Sequence, residues 1–315
     1  MPVRSTSRMT RRSALASLGL TLLGLGSSPS NANADQNNES STPYIVSAAE
    51  IVRRIREEPA ALRLLDASSL REYRAEHLPG ATHVFWEDTV DRNYPVFGAV
   101  VTQGFEQQQR LDVVSRFGVR QIDDIIVYDR RGGFRAARIV WFLRFLGFSK
   151  VALLDGGVAA WQAIEGPLDS GTIEPPHVTP SVSPQDGFYV VTEALRDRLE
   201  SKSSQVLDIR NDEELTDTLG GQIPTGRIPG SIPFPWDQMI DWETNLVRPR
   251  AELRTSLTDA GITGEQDIVV VARFGVEAAF SWLVLRLSGF ERVLTYDRGW
   301  VEWASIPGMP IVPAD

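Results

Sequence analysis

The feature that most narrows what this chain can become is a pattern written twice. Leu65-Asp66-Ala67-Ser68 returns 142 residues later as Leu207-Asp208-Ile209-Arg210. Leu154-Asp155-Gly156-Gly157-Val158-Ala159-Ala160-Trp161 returns at the same offset as Tyr296-Asp297-Arg298-Gly299-Trp300-Val301-Glu302-Trp303. Between them, Asp124-Ile125-Ile126-Val127-Tyr128 recurs as Asp267-Ile268-Val269-Val270-Val271 at offset 143, and Leu78-Pro79-Gly80-Ala81 as Ile228-Pro229-Gly230-Ser231 at 150. Four landmarks kept in order imply two homologous halves, each of about 130 residues, rather than one continuous fold.

The stretch 171–187 contains Pro175, Pro176, Pro180 and Pro184 with almost no apolar periodicity, and reads as an extended linker. The expected organisation is therefore a first domain over 43–170, the linker over 171–187 and a second domain over 188–312. In each half, short β-rich runs (125–128 and 151–154; 268–271 and 292–295) alternate with helical patterns (135–145; 277–287). Such alternation predicts an α/β architecture: two tandem domains, each a mostly parallel sheet flanked by helices.

Composition removes whole classes of chemistry. The 315 residues include no cysteine and only three histidines, His77, His83 and His177. Disulfides, thiolate metal sites and cysteine nucleophiles are excluded. His77 and His83 flank the Leu-Pro-Gly turn without a partner carboxylate at ligand spacing and read as structural, and Gly132-Gly133 is too weak to support a nucleotide site. Nothing in the sequence argues for a cofactor or a metal.

All four charges in residues 1–34 are arginines, which leaves 28 basic against 41 acidic residues in the remainder. So acidic a body does not suit sequence-independent nucleic-acid binding, which needs a basic surface. Residues 1–34 themselves read as an export signal: a basic start, an uncharged apolar run Ala14–Leu25, then Ala32-Asn33-Ala34 as a cleavage site. The run falls short of the roughly 20 residues that span a bilayer, so no integral membrane protein is expected after cleavage. Arg11-Arg12 ahead of the run points to the twin-arginine route and a periplasmic or cell-envelope location. A general secretion signal and an uncleaved anchor stay open.

In each half a β-run ends in a glycine-containing loop that enters a helix. The first is Asp129-Arg130-Arg131-Gly132-Gly133 and the second Ala272-Arg273-Phe274-Gly275-Val276-Glu277-Ala278. Backbone N–H groups at such a turn point inward, and with the helix dipole they make an anion cradle. The first loop is one residue longer, as the step from offset 143 to 142 requires. It is not expected to form the same ring, which leaves Asp129, Arg130 and Arg131 structural or at the domain interface. Asp155 and Asp297 read as helix N-caps, and Trp161, Trp300 and Trp303 as packing residues.

Strand, loop and helix in this order, doubled, resemble the tandem-domain rhodanese family of thiosulfate and 3-mercaptopyruvate sulfurtransferases. The likeness runs over roughly residues 43–312. It rests on the landmarks above together with Glu76-His77-Leu78-Pro79-Gly80-Ala81, Arg138-Ile139-Val140-Trp141 and Gly226-Arg227-Ile228-Pro229-Gly230-Ser231. The resemblance implies a structural first half, with Asp129 at its loop's first position. It also implies a second half carrying Cys-x-x-Gly-x-x-Ala, whose cysteine becomes a persulfide and passes sulfur to cyanide or another thiol. This chain keeps Gly275 and Ala278 but places Ala272 at the sulfur-carrying position. Phe274 stands where many thiosulfate-using members place a basic residue. Removing a serine-protease nucleophile costs roughly 10⁶ in kcat, about 8 kcal/mol of barrier. Covalent sulfur transfer is therefore excluded for the sequence as written.

What remains is a loop able to bind a small anion, a sulfur compound or a protein partner. Arg210 matches a substrate-binding arginine of the family, and pairing with Asp208, Asp212 or Glu213 is an equal reading. Arg273 is expected to face solvent. Three functional readings follow: a non-catalytic anion- or partner-binding pseudoenzyme of the cell envelope; an active thiosulfate sulfurtransferase whose cysteine has been exchanged for Ala272; and an interaction scaffold.

Overall fold

A computed structural model describes residues 43–57, 61–90 and 107–313. The expected export signal lies outside the described residues. In the first domain the order is β1 (Ile45–Val46), α1 (Ala48–Glu57), β2 (Leu62–Asp66), α2 (Leu70–Ala75), β3 (Thr82–His83), α3 (Gln107–Phe117), β4 (Asp124–Tyr128), α4 (Phe134–Phe145), β5 (Val151–Leu154) and α5 (Gly157–Ala163). The second domain repeats it with β6 (Tyr189–Val190), α6 (Thr192–Ser201), β7 (Ser204–Asp208), α7 (Asp212–Thr216) and β8 (Ile232–Pro233). A short antiparallel pair, β9 (Ile240–Asp241) and β10 (Leu246–Val247), is inserted next. Then come α8 (Arg250–Asp259), β11 (Asp267–Val271), α9 (Gly275–Leu287), β12 (Val293–Tyr296) and α10 (Gly299–Ser305).

Each domain holds one five-stranded parallel sheet, ordered β1-β5-β4-β2-β3 in the first and β6-β12-β11-β7-β8 in the second. The central strands read as unbroken apolar runs because both sheet faces are covered by helices: Ile125, Ile126, Val127 and Tyr128 are all buried, as are Ile268, Val269, Val270 and Val271. No helix or strand occurs in the proline-rich stretch from 171 to 187. It runs along the first domain, where the Ser183 and Gln185 amides donate to Leu146 and Phe145 carbonyls at 3.0 and 2.8 Å.

The halves meet where α4 packs on α9. Ala136 and Ala137 on one helix and Ala278 and Ala279 on the other are all buried, and such small side chains let helices approach closely. One apolar cluster runs through both domains, joining Leu65, Val127 and Ile139 to Leu207, Val270 and Phe280. Phe134 stands edge-on to Trp236 and Phe280, 4.7 and 5.8 Å between ring centres.

Polar contacts across this interface correct one expectation. Asp155 and Asp297 are not the N-cap residues of α5 and α10, positions held by Gly156 and Arg298. Both aspartates instead reach into the opposite domain. Asp155 Oδ1 accepts the Val247 amide at 2.9 Å. Asp297 Oδ1 accepts Arg138 Nη1 at 2.6 Å, with both side chains fully buried. Arg138 also bonds the Thr89 hydroxyl and carbonyl and lies 4.8 Å over the Trp141 ring. The expected tryptophans are core residues: Trp161, Trp300 and Trp303 are buried. Breaking a buried pair by removing one partner costs about 3–5 kcal/mol, whereas replacing both by apolar groups is close to neutral. Arg138→Met is therefore expected to lose about 3–5 kcal/mol in urea unfolding, and Arg138→Met/Asp297→Leu to recover most of it. A single-variant loss below about 1 kcal/mol would show that this pair does not hold the domains together.

Candidate functional site

Both loops are built by one device. The first N–H groups of the helix that follows the next strand seize the loop's carbonyls: Val158 and Ala159 donate to Asp129 and Arg130, and Trp300 and Val301 to Ala272 and Arg273, at 2.9–3.2 Å. With its carbonyls drawn outward, the loop turns its N–H groups inward. This requires glycine at the repeated turn. A Cβ on Gly157 (φ +57°) would lie 2.1 Å from the Asp129 carbonyl oxygen, and one on Gly299 (φ +65°) 2.6 Å from that of Arg273. Gly275 is as constrained, since a Cβ there would meet the Asp297 carbonyl oxygen at 1.7 Å.

Inward N–H groups need an acceptor, and in each domain the chain supplies a carboxylate. In the first loop Asp129 Oδ1 accepts the Arg131 and Gly133 amides at 3.0 and 2.8 Å, and Oδ2 the Ala136 amide at 3.2 Å. The extra residue was expected to prevent such a ring, yet these amides do converge, on Asp129 itself. Arg130 pairs with Glu76 at 2.5 Å.

In the second loop Ala272 is 1% exposed and its methyl joins the shared core. Glu277, one turn into α9, folds its carboxylate back onto the Phe274 amide at 3.2 Å and its own amide. This is half of a capping box; Phe274 offers no side-chain oxygen to complete it. Burial pushes the Glu277 carboxyl up to about 7, and the negative charge of Glu214 adds to the shift, against the pull of the loop amides and Arg273. Val276, Ala278 and Gly275 are buried, and Phe274 packs on the second domain's own apolar cluster.

Arg210 takes the ion-pair reading, and Arg273 departs from expectation. Arg210 is fully buried, bidentate to Asp208 at 2.9 and 2.7 Å, bonded to the Gly226 carbonyl at 2.8 Å and stacked 4.3 Å over Trp300. Its partner is thus Asp208, not Asp212 or Glu213, and its Nη1 has no hydrogen-bond partner among the described residues. Arg273 is not a solvent-facing residue: its side chain is 16% exposed, pairs with Asp217 at 2.5 Å and lies 5.3 Å from the Phe274 ring. His77 and His83 bond backbone carbonyls of Tyr73 and Ser68, each at 2.8 Å.

Sequence reasoning missed Glu214. Its Oε2 accepts the Asn211 amide and Trp236 Nε1 at 2.9 and 3.3 Å, and burial raises its carboxyl. The signal was present as Asn211-x-x-Glu214, a capping box that fixes where this carboxylate points. The site is thus a loop of inward amides held by Glu277, with Glu214, Arg273 and Arg210 around it. Its acceptor is an internal carboxylate, and it offers no nucleophilic atom at 272.

A family model described as the rhodanese-like domain matches twice, over residues 47–164 and 191–306. A thiosulfate sulfurtransferase of Pseudomonas aeruginosa is 28% identical over 272 residues, covering 86% of this chain and 98% of that protein. Thiosulfate/3-mercaptopyruvate sulfurtransferase 2 of Arabidopsis thaliana is 27% identical, covering 80% and 82%. Among solved structures, SseA of Escherichia coli superposes with TM-score 0.72 at 24% identity over 82% of this chain and 99% of its own. Tum1 of Saccharomyces cerevisiae superposes with TM-score 0.75 at 24% identity over 87% and 99%.

The Glu277 shift carries a sign. With a folded value near 7 against 4.5 unfolded, the folded chain binds the extra proton between these values, so stability falls as pH rises through that window. The interval from 4.5 to about 7 corresponds to about 3 kcal/mol at full titration. Glu277→Gln is expected to match the parent near pH 4.5 and exceed it by about 1–3 kcal/mol at pH 8, read by denaturant unfolding at both pH values. A difference that does not change with pH would show that Glu277 is not held in the loop.

Proposed function

The chain belongs to the rhodanese family, and from that premise we propose that it is an exported, non-catalytic member whose second-domain loop recognises a ligand without turning it over. The observation that carries this reading is the buried methyl of Ala272 at the sulfur-carrying position, in a chain without any cysteine. A methyl group neither ionises nor holds a sulfane sulfur. The export half of the proposal rests on residues 1–34, and among the described residues no helix is long and apolar enough to cross a membrane. The ligand is a small anion or sulfur compound, or an acidic side chain of a partner, able to replace the Glu277 carboxylate on the loop amides.

Mass action sets the readout: a ligand at a hundred times its Kd raises stability by about 2.7 kcal/mol. Purified protein given thiosulfate and cyanide is expected to form no thiocyanate above the buffer rate; measurable turnover overturns the proposal. Thiosulfate is expected to raise Tm, and Glu277→Gln to tighten its binding several-fold at pH 8, where Glu277 is charged. At pH 5.5, where Glu277 is neutral, the difference shrinks. No Tm shift up to millimolar thiosulfate in either protein would favour the scaffold reading.

A further inference from the structure

Arg144 and Arg286 stand at the same repeat position, 142 residues apart, in the last turns of α4 and α9. Because both helices start at the loops, their far ends lie at the opposite edge of the sheets. There the domain interface brings both guanidiniums to one ring. Arg144 Cζ lies 4.5 Å and Arg286 Cζ 5.3 Å from the centre of Tyr44. Arg286 donates to the Tyr44 hydroxyl at 3.1 and 2.8 Å and to the Glu291 carbonyl, and among the described residues no carboxylate lies within ion-pair distance of it. Arg144 donates to the Val151 carbonyl at 2.9 and 2.6 Å. Arg286 thus rests on neutral oxygens beside a second guanidinium. Helix dipoles offset roughly half a charge each.

These side chains line a cleft of about 600 Å³ between the two domains and the linker. Phe188 and Trp282, stacked 5.1 Å apart, line it as well. Arg198 and Arg292 also line the cleft and hold Asp267 at 2.8 and 3.7 Å, while Asp186 and Glu291 are its other acidic residues. Burial lowers Arg144 to about 10, Tyr44 opposing and the like charge of Arg286 adding to the shift. A cation in that state gains from a nearby anion. The volume lies within the range of small-molecule sites, whose walls are mostly apolar with a few placed polar groups.

We propose that this cleft is a second binding site, separate from the loop, for an organic anion with a flat apolar body. Its carboxylate or sulfonate head sits at Arg286 and Arg144, and its body lies against Phe188 and Trp282. The guanidinium fork suits a two-oxygen head.

The probe is naphthalene-2-sulfonate, titrated by calorimetry and by the fluorescence of Trp282 and the other tryptophans. Saturable one-to-one binding is expected. The uncharged analogue naphthalene-2-methanol, inorganic phosphate and the Arg286→Met variant should each bind at least tenfold more weakly. Ser149→Trp leaves both arginines in place and fills the cleft from its exposed rim, so it tests the location independently of how Arg286→Met folds; it should abolish binding. Glu277→Gln should leave binding unchanged, which separates this site from the loop. No saturation at millimolar probe, equal affinity for the uncharged analogue, or undiminished binding by Ser149→Trp would overturn the proposal.

Discussion

Everything at the C-terminal end of both sheets follows from one obligation: amides turned inward at a strand-to-helix loop, on the positive end of a helix dipole, must meet an acceptor. In this chain both acceptors are its own carboxylates, Asp129 from the first position of its loop and Glu277 from one turn into the helix. The two solutions differ in reach. Asp129 gathers three amides at 2.8–3.2 Å. Glu277 is pushed toward neutrality by burial and by Glu214. The first loop is thus a closed structural unit, whereas the second is held by a carboxyl that titrates near neutral pH.

Duplication supplied two copies of each part, and the interface spent them differently. Asp155 and Asp297 occupy one repeat position and both cross to the other domain, but one accepts a backbone amide and the other a buried guanidinium. Arg144 and Arg286 likewise share a position and converge on a single Tyr44 that belongs to only one half. A pseudo-symmetric pair of domains can share one core through α4 and α9, since small residues recur on both helices. Charged partners cannot be shared so evenly, because each buried charge needs its own specific counterpart.

The sheets, the central helices and the linker were legible in the residues because apolar runs flanked by glycine and proline encode them locally. Ala272, at the position where the resemblance implies a cysteine, was legible as a residue within a short motif. The roles of Asp155 and Asp297 were not. A carboxylate before a glycine turn resembles a cap in sequence, and only the packing of α4 on α9 brings Arg138 to Asp297 across 159 residues. Arg273 misled for a related reason, since its partner Asp217 lies far off in the sequence, at the C-terminal end of α7. What short-range chemistry fixes can be read from the chain, and what a domain interface decides cannot.

The loop also bears on whether alanine at 272 is an isolated exchange. A thiolate or persulfide at that position would have to draw on the same amides that now hold Glu277. While Glu277 is ionised, its negative charge and that of a thiolate drawing on the same amides would repel, which raises a thiol. The usual effect of such a loop is the opposite, a lowered thiol. Glu277 and a reactive cysteine therefore work against each other, whereas Glu277 and a methyl group are compatible. Phe274 adds to this, since its ring turns to the domain's own apolar cluster where a basic side chain would have met a doubly charged substrate. Glu277 and Phe274 are thus two further residues of the loop that agree with the proposed non-catalytic reading.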